Sequence, residues 1–392
     1  MFEGRLREEL AQISRQLETW SYKPSPVRRV EIPKPGGKGV RLLGIPTIRD
    51  RVVQSAIKLM LEPVFDPSFS ESSYGFRPGR SQKQALTRAK EIVRSGRGWV
   101  VDIDLSQFFD RIPHDRLIHR LGQSIADKRI LRLIGMTLRS GIFVDGSVVP
   151  SLEGSVQGSP LSPLLSNVAL DELDKELEKR GLSFCRFADD CNIFVASQKA
   201  AERVMNSTTQ FIEKRLKLVV NREKSKVARS KYVKFLGLTI IAGAIAISQG
   251  AMHKAHGEVR RLTPRGTSES LERTMRKINS WYRGWSSYYE MTEYPSQLSI
   301  VECHIRRRLR ARIIAQQKRK RHLWEKLVAR GVKRRTAGST VYSNKGRWKL
   351  SNSGVMNMAY PTDYFVGQLG QLVRSTEKLP HWRPMRAWVK WT

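Results

Sequence analysis

Two short acidic stretches carry the residue types most able to do chemistry. VVDIDLSQFFD is an apolar run interrupted by Asp102 and Asp104, and RFADDCNIFV sets Asp189 and Asp190 among apolar neighbours. Carboxylates are hard oxygen donors of the kind Mg²⁺ prefers. Brought together, they could hold two ions about 4 Å apart, the arrangement that stabilises an in-line displacement at phosphorus. An Asp-Asp pair alone is weak evidence, because Asp is at home in turns for structural reasons. The setting adds weight. Phe187, Ile193, Phe194 and Val195 would bury the flanking strands and hold the acids on a rigid hairpin.

Those acids need a sheet on which to meet. Trp99 to Leu105 reads as a strand ending in acid, and Phe184 to Val195 as a hairpin whose turn is Ala188-Asp189-Asp190. The two lie 85 residues apart from Asp104 to Asp189; adjacent in one sheet, they would set Asp104 facing Asp189 and Asp190. Around them the spacing predicts helices over 2–20, with Leu6, Leu10, Ile13 and Leu17 on one face, and over 50–61 and 81–94. Another runs from Pro163 to Arg180, with Pro in its first turn and Gly181 as its stop. A helix over 199–216 and a strand from Tyr232 to Ile241 follow. Near the N-terminus, Pro35-Gly36-Gly37 reads as a turn between two strands. Beyond residue 250 the pattern is mainly helical, over 269–289 and 297–330.

The 392 residues hold 71 Lys and Arg against 36 Asp and Glu, a net charge of +35. Such a chain repels itself unless an anion absorbs the charge, and nucleic acid is the usual partner. An ordinary small-molecule enzyme and a membrane protein are disfavoured. The longest apolar stretch, Leu238 to Ile247, is about half of the roughly 20 residues that span a bilayer. Residues 251–392 carry +21 of the charge and seven of the nine Trp, so a domain boundary is expected near residue 250. Cys185, Cys191 and Cys303 fit neither a disulfide framework nor paired zinc spacing. They read as small apolar residues in or near the core of a reduced, cytoplasmic and nucleoid-associated protein.

The segments VVDIDLSQFFDRIPHD, SVQGSPLSPLLSNVALDELD, CRFADDCNIFV, NREKSK and KFLGLTI occur in the order found in the reverse transcriptases of group II introns. PVRRVEIPKPGGKGVRLLGIPTIRDRVVQ and SSYGFRPGRS resemble that family's fingers blocks. WYRGWSSYY followed by IRRRLR resembles its maturase, or thumb, domain. The resemblance runs from about residue 22 to about residue 350, and the compact bacterial class without an endonuclease is the subgroup it points to. Two departures matter. The stretch usually found upstream of the first fingers block has no match, which bears on template switching, and the common Tyr-Ala-Asp-Asp is Phe187-Ala188-Asp189-Asp190 here.

By that resemblance Asp104, Asp189 and Asp190 are the catalytic ligands of two Mg²⁺ ions. Phe109 is the side chain that rejects a 2′-hydroxyl, with the alternative that Phe108 or Phe109 is simply core. Lys34 and Arg41 clamp the incoming triphosphate, and Gln157-Gly158 lines the nucleotide site. Asn221 and Lys224 belong to the block beneath the palm; Lys224 could protonate departing pyrophosphate or merely form a surface ion pair. Phe235-Leu236-Gly237 is the primer grip. Arg306, Arg307, Arg308 and Arg310, then Lys318, Arg319, Lys320 and Arg321, read as a nucleic-acid surface interleaved with Trp. The expected architecture is α+β, a right-hand polymerase with fingers and an N-terminal helix over 1–100, and a palm over 101–250. A helical thumb over 251–335 and a basic nucleic-acid-binding region over 336–392 complete it. Expected partners are group II intron RNA, an RNA template/DNA primer duplex, dNTPs and target DNA, with no membrane. A domesticated enzyme of repair or phage defence, and a non-catalytic splicing factor, remain open alternatives.

Overall fold

Apolar strands that end in acid need neighbours on both edges, and the first 233 residues supply them. They form one of two compact units, Met1–Val233 and Lys234–Thr392, into which the contacts of the computed structural model divide the chain. Residues 3–33, 39–144, 146–385 and 387 are described. The expected Pro35-Gly36-Gly37 turn and Lys34 lie outside them.

In the first unit α1 (Leu6–Glu18) leads into β1 (Val27–Pro33) and β2 (Val40–Ile45), then α2 (Ile48–Phe65) and α3 (Gln82–Arg94). Helix α3 starts where it does because Ser81 and Gln84 form a reciprocal capping box. There follow β3 (Trp99–Ile103), α4 (His114–Gly122), α5 (Lys128–Leu138), the short pair β4 (Ile142–Val144) and β5 (Ser147–Val149), and α6 (Ser162–Lys179). The hairpin β6 (Ser183–Phe187) and β7 (Asp190–Val195), α7 (Gln198–Phe211) and β8 (Lys226–Arg229) complete the unit. Two four-stranded sheets result, ordered β2-β1-β4-β5 and β6-β7-β3-β8. The first is mixed, because β1 runs antiparallel to β2 but parallel to β4. The second is antiparallel throughout, with β3 central. Val101, Ile103, Phe184 and Ile193 from this sheet share a core with Leu164, Val168 and Leu177 of α6. Fully burying each such side chain contributes roughly 1.5–3 kcal/mol, and that core is what fixes the acidic end of the sheet.

The second unit opens with the two-stranded hairpin β9 (Leu238–Ile241) and β10 (Ala244–Ile247). Among the described residues, seven α-helices follow: α8 (Gln249–Leu262), α9 (Leu271–Tyr288), α10 (Pro295–Gln316), α11 (Lys320–Ala329), α12 (Arg334–Val341), α13 (Arg347–Leu350) and α14 (Gly354–Ala359). Val301, Ile305, Leu309 and Ile313 stand four residues apart on α10 and pack against Met275, Ile278 and Tyr282 of α9. Among the described residues, no helix is long and apolar enough to cross a membrane.

Several sequence expectations shift here. The strand expected from Tyr232 begins only at Leu238, because Ser230–Tyr232 is a 3₁₀ turn and Leu236 and Gly237, with φ of 52° and 80°, form a left-handed turn. The helix over 199–216 is α-helical to Phe211 and ends in a π-helical turn, Ile212–Leu216, closed by Lys217 at φ 58°. Phe108 and Phe109 lie beyond the strand, in a 3₁₀ turn, Phe108–Arg111. Cys185 and Cys191 are buried as expected, whereas Cys303 is exposed.

Candidate active site

Register brings the acids together. Strands β3 and β7 pair from Trp99 with Val195 to Ile103 with Cys191, so the next position, Asp104, faces Asp190. Across the hairpin Phe187 pairs with Asp190, which leaves Ala188 and Asp189 as the centre of a two-residue turn. Ala188 carries a φ of 57°, a left-handed conformation that costs a non-glycine residue on the order of 1–2 kcal/mol. Its surroundings enforce it. Gly75 lies so close beneath the turn that a Cβ there would come within 2.2 Å of the Ala188 nitrogen. The segment around Gly75 pairs with β6 through Ser73 and Arg186, and Tyr74 donates its backbone N–H to the Arg186 carbonyl at 2.9 Å.

Below the turn sits an ion pair that sequence reasoning missed. Arg186 and Asp174 are both fully buried, and the guanidinium grips the carboxylate with Nε at 2.7 Å from Oδ1 and Nη2 on the second oxygen. Its remaining donors go to Asn167 Oδ1 at 3.0 Å, Ser73 Oγ at 2.8 Å and the carbonyl of Ala188 at 2.8 Å. Asn167 in turn donates to the Gly75 carbonyl at 2.9 Å. Arg186 therefore holds the backbone of the acidic turn from inside the core. The only sequence signal was an Arg in a strand otherwise apolar, and its partners lie up to 113 residues away.

The other wall is built on Asp104. Its backbone N–H donates to Ser225 Oγ at 3.0 Å, and its carbonyl accepts from the Asn221 N–H at 2.8 Å. The Lys224 ammonium stands 3.7 Å from Asp104 Oδ1. So the segment 221–226, grouped beneath the palm by resemblance, clasps one of the acids directly. Phe108 is buried at 3% exposure and belongs to the core, while Phe109 is half-buried and packs edge-on against it, with ring centres 5.4 Å apart. Of the two rings, only Phe109 is in part available to solvent. The Phe109 carbonyl accepts from Ser155, and the Gln157 carbonyl accepts from Gly44 at 3.0 Å. Gly158, at φ 116°, approaches the Gly44 carbonyl so closely that a Cβ would sit 2.8 Å from its oxygen. The Gln157-Gly158 turn is thus latched to β2, the strand that carries the exposed Arg41.

Burial raises the Asp189 carboxyl above its ordinary range, and the charge of Asp104 adds to the rise. Its own backbone hydrogen bond, Arg186 and Arg41 pull the other way. That mutual influence marks Asp104, Asp189 and Arg41 as electrostatic neighbours. The donor set is all oxygen, which suits Mg²⁺. Among the described residues, no three His, Cys, Asp or Glu side chains form a cage for one ion. Mg²⁺ rarely has such a cage; it is typically held by one or two carboxylates, with water and substrate phosphates completing the shell, so the residues fit the ion.

In the second unit, Phe235 is buried and its N–H and carbonyl both bond to Leu238, closing the Leu236-Gly237 turn. Tyr288 donates to the Leu236 carbonyl at 3.2 Å, and Tyr289 lies against Gly237. The basic run on α10 is not a uniform exposed face. Arg306 and Arg310 are each only 8% exposed, and Arg310 donates to the Tyr360 carbonyl at 2.9 Å. Arg308 fastens the end of α8 by donating to the hydroxyl and carbonyl of Thr263. Long arginine stems can bury while their donors serve backbone carbonyls, which a charge count does not reveal. Lys318, Arg319, Lys320 and Arg321 are exposed.

Comparison with known proteins bears on this geometry. Residues 32–240 match the family described as Reverse transcriptase (RNA-dependent DNA polymerase), and residues 252–331 match the Group II intron, maturase-specific domain. Protein YkfC of Escherichia coli is 35% identical over 265 residues, covering 58% of this chain and 69% of that protein. The Group II intron-encoded protein LtrA of Lactococcus lactis is 34% identical over 225 residues, covering 57% of this chain but 36% of that one. Among solved structures, a chain of the partial Cas6-RT-Cas1–Cas2 complex is 30% identical with a TM-score of 0.34, covering 53% of this chain and 37% of that chain.

Proposed function

The chain belongs to the reverse transcriptase family, with a group II intron maturase-specific domain behind the polymerase region, and from that premise we propose that it is an RNA-directed DNA polymerase that also assists splicing of a group II intron RNA. One observation carries the reading: within the matched region, the β3–β7 register aligns Asp104 with the acidic turn Ala188-Asp189-Asp190 at one end of a buried sheet. Asp104, Asp189 and Asp190 would hold two Mg²⁺ ions, which when bound activate the primer 3′-hydroxyl and stabilise charge at the α-phosphate.

The other residues take the roles that the family resemblance implies. Arg41, with Lys34, binds the triphosphate through charge-assisted hydrogen bonds. Gln157-Gly158 offers backbone to the nucleotide, since glycine allows close approach. Phe109 presents a ring where a 2′-hydroxyl would sit. Lys224, beside Asp104, gives a proton to departing pyrophosphate. Phe235-Leu236-Gly237 steadies the primer strand. We further propose fingers over 1–100, palm over 101–250, thumb over 251–335 and a basic region over 336–392, with intron RNA, template–primer duplex, dNTPs and target DNA as partners.

The test uses the purified chain, poly(rA) template, oligo(dT) primer, dTTP and Mg²⁺. The reading expects primer extension that EDTA abolishes and excess Mg²⁺ restores. A folded chain that binds the duplex yet adds no deoxynucleotide under any Mg²⁺ concentration would overturn it.

A further inference from the structure

The second unit contains a cavity of about 700 Å³ that the polymerase reading leaves unused. Helix α10 lines it with Arg306, Arg307 and Arg310, and the exposed amides of Asn352 and Asn357 stand at its rim. His256 of α8 and His304 of α10 also line it, stacked with ring centres 4.6 Å apart and planes 11° from parallel.

Its charge is uncompensated. No acidic side chain lines it, and among the described residues none of the three arginines forms an ion pair. Their partners are all neutral: Arg306 donates to Cys303 Sγ at 3.0 Å and to Gln371 Oε1 at 3.4 Å, Arg307 donates to the Trp348 carbonyl at 3.3 Å and lies 3.9 Å from its ring centre, and Arg310 donates to the Tyr360 carbonyl. Glu302, one turn before Arg306, is committed elsewhere: it accepts from Tyr282 Oη at 2.6 Å and from the backbone N–H groups of Arg374 and Ser375. Burial lowers Arg310 to about 10, with Arg306 adding to the fall. Guanidinium groups withdrawn from water without an anion are costly, and a bound anion would relieve that cost. Burial lowers both imidazoles, His304 to about 4. What they offer is a flat aromatic face.

We propose that this cavity takes one nucleotide of an RNA strand, its phosphate among Arg306, Arg307 and Arg310 and its sugar or base against the stacked imidazoles. The volume lies within the roughly 300–1,000 Å³ typical of ligand sites, far more than one inorganic phosphate fills. Arginine guanidinia suit phosphate geometrically, and flat side chains stack on unpaired bases. The inference rests on the reading that the second unit handles RNA, and narrows it to one site.

The experiment measures binding of a fluorescent single-stranded RNA to the full chain across a salt series. Asn352→Asp/Asn357→Asp adds two charges at the rim without touching the core. Gln249→Glu/Ser268→Asp puts the same two charges on exposed positions of the same unit outside the lining. The rim variant should bind about tenfold more weakly than this control, as for the removal of one charge-assisted hydrogen bond. Its log–log salt slope should be shallower by roughly 0.7 per phosphate released. Arg307→Gln, whose side chain is only half-buried, should show the same change, and thermal melting verifies both folds. Equal binding by the rim variant, Arg307→Gln and control, beside strong wild-type binding, overturns the cavity alone. Wild-type chain that binds no RNA overturns the underlying reading as well. If pyrophosphate binds the wild-type cavity tightly and the rim change spares RNA binding, the occupant is a free anion and the nucleotide proposal fails.

Discussion

At the residue scale the site depends on one carboxylate held where ionisation is disfavoured. Asp189 is raised by burial and by Asp104, so its folded value lies above its unfolded one. Ionised, it therefore costs stability at neutral pH, and that cost shrinks as pH falls below the raised value and is gone only below the unfolded one. Asp189→Asn should accordingly raise Tm at pH 7, with the gain shrinking toward acid pH, while primer extension is lost. Thermal melts across pH, paired with extension assays, check both halves. Phe109 gives a second prediction. Phe109→Ala should admit ribonucleotides while largely keeping deoxynucleotide use, read as the incorporation ratio in a dCTP and CTP competition; an unchanged ratio would leave Phe109 as packing. The strand ending at Asp104 and the hairpin turn at Asp189-Asp190 were legible because strand patterning and an Asp-Asp turn are local signals. That Phe108 rather than Phe109 faces the core was not, because the turn that orients them is closed by a hydrogen bond from Ser155 to Phe109 across 46 residues.

At the element scale the hairpin β6–β7 owes its shape to what lies beneath it. Gly75→Ala would push a methyl into the Ala188 backbone, an overpacking that should cost about 1–3 kcal/mol and displace the acidic turn. A lower Tm together with lost extension is expected, with the extension loss persisting at temperatures where the variant stays folded. Arg186→Met should be more severe, about 3–5 kcal/mol, because it strands the fully buried Asp174. Adding Asp174→Leu should restore much of that stability. It cannot restore the hydrogen bond from Arg186 to the Ala188 carbonyl, so extension by the double variant should remain impaired; full recovery would mean that the pair serves stability alone. The helices expected over 50–61, 81–94 and Pro163 to Arg180 came through within a few residues, but the strand expected from Tyr232 starts at Leu238, and α4, α5, α8 and α12 to α14 were not anticipated. Nor was the buried pair, since a charged residue in a strand gives no hint of partners on α6 and beside Gly75.

At the scale of the whole molecule the charge and the chemistry are divided. The last 142 residues hold +21 of the +35, and the three aspartates lie in the first unit. Compositional reading found the basic half but not its internal use, since Arg306, Arg310 and the fully buried Arg312 are folded into the unit. The exposed run is the cleaner target. Converting Lys318, Arg319, Lys320 and Arg321 to Gln should flatten the salt dependence of RNA binding by roughly 0.7–0.9 for each phosphate no longer neutralised, with the fold intact by melting. The central claim, that RNA is copied into DNA at the acidic end of the first unit's sheet, is met most directly by single-turnover extension on an RNA template with Asp189→Ala. Extension should fall by more than the roughly thousandfold scale of removing one electrostatic interaction with the transition state, while the variant binds RNA with the wild-type salt slope. Near-wild-type extension by the folded variant would contradict the account.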